Sequence, residues 1–130
     1  MDATLRILLV ENNSTDQIAI QRLFRSQKLE YELVMADSLA QARDYLDAAP
    51  YDLILLDYNL GDGTGLELLE SIVDTPVIFI AGSSTEEVII KVMKAGAYDF
   101  LIKVLQMGSL SLIPSTIEKV MKRKGAEDRL

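Results

Sequence analysis

Asp52-Leu-Ile-Leu-Leu-Asp57-Tyr-Asn-Leu-Gly61-Asp-Gly-Thr-Gly65 opens on an unbroken apolar run and closes on a glycine-rich loop. The run is too short for a helix and shows no apolar–polar alternation. It predicts a strand over Asp52–Leu56 that is buried on both faces, as happens in parallel sheets covered by helices. The strand ends at Asp57. The loop Gly61–Gly65 then leads into a short helix carrying Leu68, Leu69 and Ile72.

The same alternation extends in both directions. Leu5–Val10 and Tyr31–Ala36 read as the first two strands, and Pro76–Ile80 and Tyr98–Ile102 as the last two. Between them lie amphipathic stretches at helical spacing: Ile20, Leu23 and Phe24; Leu39, Ala42, Leu46 and Ala49; Val88, Ile89, Val92 and Met93; Ile113, Ile117, Val120 and Met121. These Leu and Ile stripes are expected to be core. Ser14–Gln17, Ser38–Gln41 and Ser84–Glu87 each fit a capping box. Pro50 is expected to stop the second helix, Gly96 the fourth, and Pro114 fits only near the start of the fifth. Five β-α units with right-handed crossovers make an α/β fold, a doubly wound five-stranded parallel sheet with five helices.

The 130 residues suit one domain that can build its core without staples. The absence of cysteine and histidine excludes disulfides, thiolate or imidazole metal ligands, and Ser-His or Cys nucleophilic catalysis on this chain. A net charge of −7 argues against nucleic acid and anionic membranes as partners. Hydrophobic residues at 49% and charged ones at 25% exclude a disordered segment. The run Ile7–Val10 is too short for a signal-peptide core, and no stretch nears the roughly 20 apolar residues of a membrane span. The expected compartment is the cytoplasm. The basic cluster Lys119–Lys124 reads as a solvated face or a partner contact.

In doubly wound sheets the site lies beyond the carboxyl ends of the strands. The residues there are Glu11-Asn12-Asn13, Asp57-Tyr58-Asn59, Ala81-Gly82-Ser83 and Lys103. Converging on one rim, they would place two carboxylates and one ammonium in a small pocket. Such carboxylates, with a backbone carbonyl and waters, suit Mg²⁺. The lysine is a compact counter-charge for phosphoryl oxygens, and an aspartate beside a divalent ion is a plausible nucleophile toward phosphorus. The blander readings are a turn carboxylate for Asp57, a solvated loop residue for Glu11 and a surface lysine for Lys103. Asp62 reads as a turn residue and not a ligand.

Two segments resemble the receiver domain of two-component response regulators. One is Asp52–Asp57 with Leu60-Gly-Asp-Gly-Thr-Gly65-Leu-Glu; the other is Met93-Lys-Ala-Gly-Ala-Tyr-Asp-Phe-Leu-Ile-Lys103. The resemblance covers about residues 5 to 123 and implies a flavodoxin-like (β/α)5 receiver fold, chemotaxis-receiver-like. The receiver is expected over residues 1–125, with a charged tail at 126–130. By this resemblance Asp57 accepts a phosphoryl group from the phosphohistidine of a histidine kinase or phosphotransfer protein, and Lys103 grips that group. Glu11, Asn12, Asp57 and the carbonyl of Asn59 match the Mg²⁺ ligands. Ala81 and Phe100 match the switch positions, while Asn59 and Ser83 match positions that tune phosphoryl lifetime. A downstream protein target is implied at the last two helices and the fifth strand.

Three residues depart from the family pattern. Asn12 replaces an acidic ligand, leaving two carboxylates instead of three. Ala81 replaces the hydroxyl that bonds the phosphoryl oxygen, unless Ser83 or Ser84 reaches in by a loop slip. Val104 replaces a proline, so a cis peptide is not expected there. The leading expectation is a phosphoacceptor with altered switching and no enzymatic turnover beyond its own phosphorylation and dephosphorylation. The alternative is a degenerate receiver that docks proteins without phosphorylation. A metal-dependent phosphatase is disfavoured because Asn59 stands where its general acid would be, and a nucleotide site is disfavoured by the glycine-free, acidic loop Glu11–Asp16. Too little chain follows the fifth helix for an output module, so the protein is expected to work through contacts or as part of a longer hybrid.

Overall fold

The computed structural model describes residues 4–26, 30–82, 85–103 and 110–129. Five strands, β1 (Leu5–Val10), β2 (Tyr31–Ala36), β3 (Leu53–Leu56), β4 (Val77–Ala81) and β5 (Asp99–Ile102), form one parallel sheet in the order β2-β1-β3-β4-β5. They alternate with α1 (Ser14–Ser26), α2 (Leu39–Ala48), α3 (Gly65–Leu69), α4 (Glu86–Lys94) and α5 (Ile113–Asp128). This is the expected doubly wound architecture. No helix among the described residues is long and apolar enough to cross a membrane.

The two-residue period of each strand sorts its side chains between two cores. Leu8, Val10, Ile54, Leu56, Val77 and Phe79 face α2, α3 and α4. Ile7, Leu9, Leu53, Leu55, Ile78 and Ile80 face α1 and α5 through Ile20, Phe24, Ile113, Ile117 and Val120. Every residue of β3 is buried, which is why that strand reads as a continuous apolar run.

The stripes are less uniformly buried than expected. In α4 only Val92 is buried, whereas Met93 and Ile90 are exposed. The short helix α3 stops at Leu69, leaving Ile72 in the turn that follows.

The helix starts depart furthest from the expected caps. In α1 the cap is Asn13, whose side chain accepts from the Asp16 amide at 2.9 Å, and not Ser14. Gln17, expected to complete a box, instead donates its side-chain amide to the Glu11 carbonyl. Ser38 caps α2 as expected, accepting from Gln41 at 3.1 Å. The Gln41 side chain, however, accepts from Asp37 and not from the cap. For α4 the cap is Thr85, one residue later than expected. A reciprocal capping box does occur at Thr64–Glu67, where the glycine-rich loop had masked the pattern.

Gly96, at φ 113, ends α4 in a Schellman motif, with Ala97 donating to Val92 and Gly96 to Met93. The expected tail largely belongs to α5, which continues through Asp128 and is braced by Arg123–Glu127 and Lys124–Asp128 pairs at (i, i+4). A Ser38→Ala exchange removes the hydroxyl that accepts from the Gln41 amide and is expected to cost about 1 kcal/mol. Thermal unfolding checks this, and an unchanged midpoint would mean that water caps the helix equally well.

Candidate functional site

Three backbone hydrogen bonds carry the ladder one step past the strands and assemble the rim. Glu11 donates to Ala36 at 3.0 Å, Asp57 to Val10 at 2.9 Å and Lys103 to Ala81 at 2.6 Å. The strand alternation then decides which side of the sheet each side chain takes. Glu11 continues Ile7 and Leu9, Asp57 continues Leu53 and Leu55, and Lys103 continues Leu101, all of which face α1 and α5. The three groups therefore meet beside the first turn of α1.

Lys103 is the centre of the cluster. Its Nζ lies 2.7 Å from Glu11 Oε1, 2.8 Å from Asp16 Oδ2 and 3.5 Å from Asp57 Oδ2. Glu11 and Asp57 are both buried, so neither is a solvated loop carboxylate. The second oxygen of Glu11 accepts from the Asn13 amide at 3.1 Å, and Asp57 Oδ1 accepts from its neighbour Tyr58 at 2.8 Å. Burial pushes the Glu11 carboxyl up to about 7, against the opposing hydrogen bond from Lys103 and with the support of nearby Asp57. Burial works against the Lys103 ammonium too, but hydrogen bonds to Asp16 and Glu11 and the charge of Asp57 outweigh it. Its pKa lies above the ordinary lysine value.

A cavity of about 270 Å³ opens at the rim, lined by Asn12, Asn13, Asp16, Asp57, Asn59, Ala81, Gly82 and Lys103. The expected residues Asn12, Asp57, Asn59, Ala81 and Lys103 are thus brought together. Glu11 stands behind the cavity with its oxygens on Lys103 and Asn13. Ser83 and Val104 lie outside the described residues, among which no peptide bond is cis. Phe100 sits apart from the cavity, stacked on Phe79 at 6.1 Å with an interplanar angle of 9°.

Asp16 is the residue that sequence reasoning missed. Its position in a helical first turn is where acids are common, so nothing marked it out. Only the convergence of the strands on α1 aims it at Lys103. It corrects the expected count, because three carboxylates and not two surround the ammonium.

The loop after Asp57 is held tightly. Gly65 donates to the Tyr58 carbonyl at 2.6 Å, and a Cβ there would lie 2.4 Å from the Asp57 carbonyl and 2.8 Å from Phe79. Asp62, read as a turn residue, reaches across to accept from Leu39 and Ala40 at the start of α2, at 2.8 and 3.0 Å. The Leu39 amide bond first, and then that from Ala40, lower its pKa.

For a metal, the lining offers hard oxygen donors only: the two carboxylates of Asp16 and Asp57 and the three amide side chains of Asn12, Asn13 and Asn59. That chemistry fits Mg²⁺ or a similar ion, which takes one or two carboxylates and keeps waters and phosphoryl oxygens for the rest. Among the described residues no group of three or more acidic side chains forms a ready-made cage.

Comparison with known proteins points the same way. A family model described as "Response regulator receiver domain" matches residues 7–113. The response regulator protein PilR of Pseudomonas aeruginosa is 32% identical over 104 residues, which are 77% of this chain and 23% of PilR. The cell cycle transcriptional regulator CtrA of Caulobacter vibrioides is 30% identical over 103 residues, 76% of this chain and 44% of CtrA. The chain therefore spans less than half the length of these two relatives.

Among solved structures, the phosphorylated cyanobacterial phytochrome response regulator RcpA superposes with a TM-score of 0.78 at 28% identity, covering 90% of this chain and 93% of that one. The Mn²⁺-bound form of response regulator Rcp1 gives a TM-score of 0.77 at 26% identity, covering 88% of this chain and 91% of that one.

Proposed function

The chain belongs to the response regulator receiver domain family of two-component systems, and on that footing we propose that Asp57 is its phosphoacceptor. The observation that carries the reading is the Lys103 ammonium, 3.5 Å from the Asp57 carboxylate at the mouth of an open polar cavity. The structures of phosphorylated RcpA and Mn²⁺-bound Rcp1, both similar over most of the chain, support carrying this chemistry over.

In the proposed reaction an Asp57 carboxylate oxygen attacks the phosphorus of a partner's phosphohistidine. The new O–P bond forms as the P–N bond breaks, and the electron pair of that bond goes to the imidazole nitrogen. Lys103, kept charged by its three carboxylates, faces the transferred oxygens and offsets their negative charge. The Tyr58 amide holds the other Asp57 oxygen, and the Gly65 contact fixes the carbonyl behind it. Asn12, Asp57 and the Asn59 carbonyl are the proposed holders of Mg²⁺, with Glu11 behind them. When bound, the ion would neutralise charge on the transferred group.

The output is proposed to run through protein contacts at α4, β5 and α5, where Ile90, Met93 and Ile102 are exposed apolar residues. Ala81, buried at 2% exposure and without a hydroxyl, gives the phosphoryl group nothing to pull on at the end of β4. Switching by way of β4 is therefore expected to be weakened, since a ligand shifts a conformational equilibrium only by contacts that differ between the two states.

Intact mass after incubation with Mg²⁺ and acetyl phosphate tests the site. One phosphoryl group is expected on the wild type and none on Asp57→Asn, and omission of the metal should return the wild type to background. Equal uptake by both proteins would overturn the assignment of Asp57. No uptake by either, from acetyl phosphate or from a phosphorylated histidine phosphotransfer domain, would favour docking without phosphorylation.

A further inference from the structure

We infer that Asp16 is a positioning residue for Lys103, holding the ammonium while Asp57 is unmodified and yielding it when a phosphoryl group forms there. The inference rests on the phosphoacceptor reading above. It makes the first turn of α1 responsive to the state of Asp57.

The argument begins with the donors available. An ammonium has three N–H groups, and Lys103 already faces three carboxylate acceptors. The contact to Asp57 is the long one, 3.5 Å against 2.7 Å to Glu11 and 2.8 Å to Asp16. The ammonium therefore reaches phosphoryl oxygens on Asp57 at hydrogen-bond distance by shifting toward them, which loosens one of the two short pairs. Glu11 is the costly one to release. It is 1% exposed, its other oxygen is bound to the Asn13 amide, and water has no access to replace the lysine. The Asp16 side chain is 31% exposed, lines the cavity and can be resolvated on release. Asp16 is also an anion in the cavity that a phosphoryl group would enter, so repulsion acts in the same direction. Its release reaches the helix because its amide is the one capped by Asn13, and the next residue, Gln17, donates to the Glu11 carbonyl.

The test compares wild type with Asp16→Asn, a substitution of the same shape. Three readouts are used: the Lys103 side-chain ¹⁵N signal in the resting protein, the α1 amide signals before and after Mg²⁺ with acetyl phosphate, and the phosphoryl mass gained. The expected results are a Lys103 signal that moves in the resting variant and an α1 response to the donor at least halved. The initial rate of uptake should rise about two- to fivefold, the range set by loss of a partly exposed ion pair.

An unmoved resting Lys103 signal, or an α1 response of the wild-type size, would overturn the inference. A fall in uptake rate would also overturn it, by showing that Asp16 assists the reaction through the metal. Absence of phosphoryl mass on both proteins, from acetyl phosphate and from a phosphorylated histidine phosphotransfer domain alike, would instead refute the phosphoacceptor reading and, with it, the yielding step. The resting Lys103 signal would then still show whether Asp16 holds the lysine.

Discussion

Truncation of Phe79 to alanine is expected to lower stability by about 3–5 kcal/mol, near the top of the range for a core aromatic. Phe79 is fully buried in the middle of β4, which itself lies between β3 and β5. It stacks on Phe100 at 6.1 Å and meets Tyr58 at 6.5 Å. Its ring also lies against Gly65, which packs on the Asp57 carbonyl. The void left by alanine would therefore open between the sheet and the loop that carries Asp57, where Tyr58 and Gly65 are already bonded and cannot close in without breaking those bonds. Urea unfolding gives the number directly. The Asp57 loop should also lose hydrogen-exchange protection ahead of β1, because its support is local. A loss below about 1 kcal/mol, the range of a surface substitution, would show that Phe79 is not the keystone the packing indicates.

The Glu11→Gln exchange should change the pH dependence of stability as strongly. The folded-state pKa of Glu11 is raised from 4.5 to about 7, because burial disfavours its charge. Between those values the unfolded chain has lost the proton and the folded protein keeps it, so folding takes up a proton. Stability from this group therefore falls as pH rises through the window, and the cost is fully present above about pH 7. The shift corresponds to about 3 kcal/mol, and at 1% exposure solvent screens little of it. Glutamine keeps the shape and an oxygen for Lys103 but carries no charge to desolvate. The variant should match the wild type near pH 4, exceed it near pH 8 and lack the decline between them. Parallel pH profiles for the two proteins would mean that Lys103 holds Glu11 ionised throughout.

The legible parts of the fold were those decided by short-range pattern. Leu53–Leu56 reads as a doubly buried strand because all its side chains are apolar, and Gly96 reads as a helix stop because only glycine takes its left-handed backbone cheaply. Helix starts were less legible. Ser, Thr, Asn and Asp all serve as caps, and Asn13-Ser14-Thr15-Asp16 contains all four. The chosen cap depends on where β1 releases the chain. In the same way, the exposure of Met93 is invisible to a helical stripe, which marks a face without saying how far the neighbouring strand extends beneath it.

The sequence by itself determined the five β-α units and the rim residues Asp57 and Lys103, because each is a property of residue type and local spacing, and the losses at Asn12 and Ala81 were legible in it only through the family resemblance. Tertiary structure alone decided that Glu11 is buried behind the cavity, that Asp62 anchors the loop to α2, and that Asp16 supplies the third carboxylate around Lys103. Those facts depend on distances between residues 87 to 92 positions apart along the chain for the Lys103 pairs, and 22 to 23 apart for Asp62. Strand register and helix packing set such distances. A carboxylate in a helical first turn has the same local signature whether it faces water or a buried ammonium.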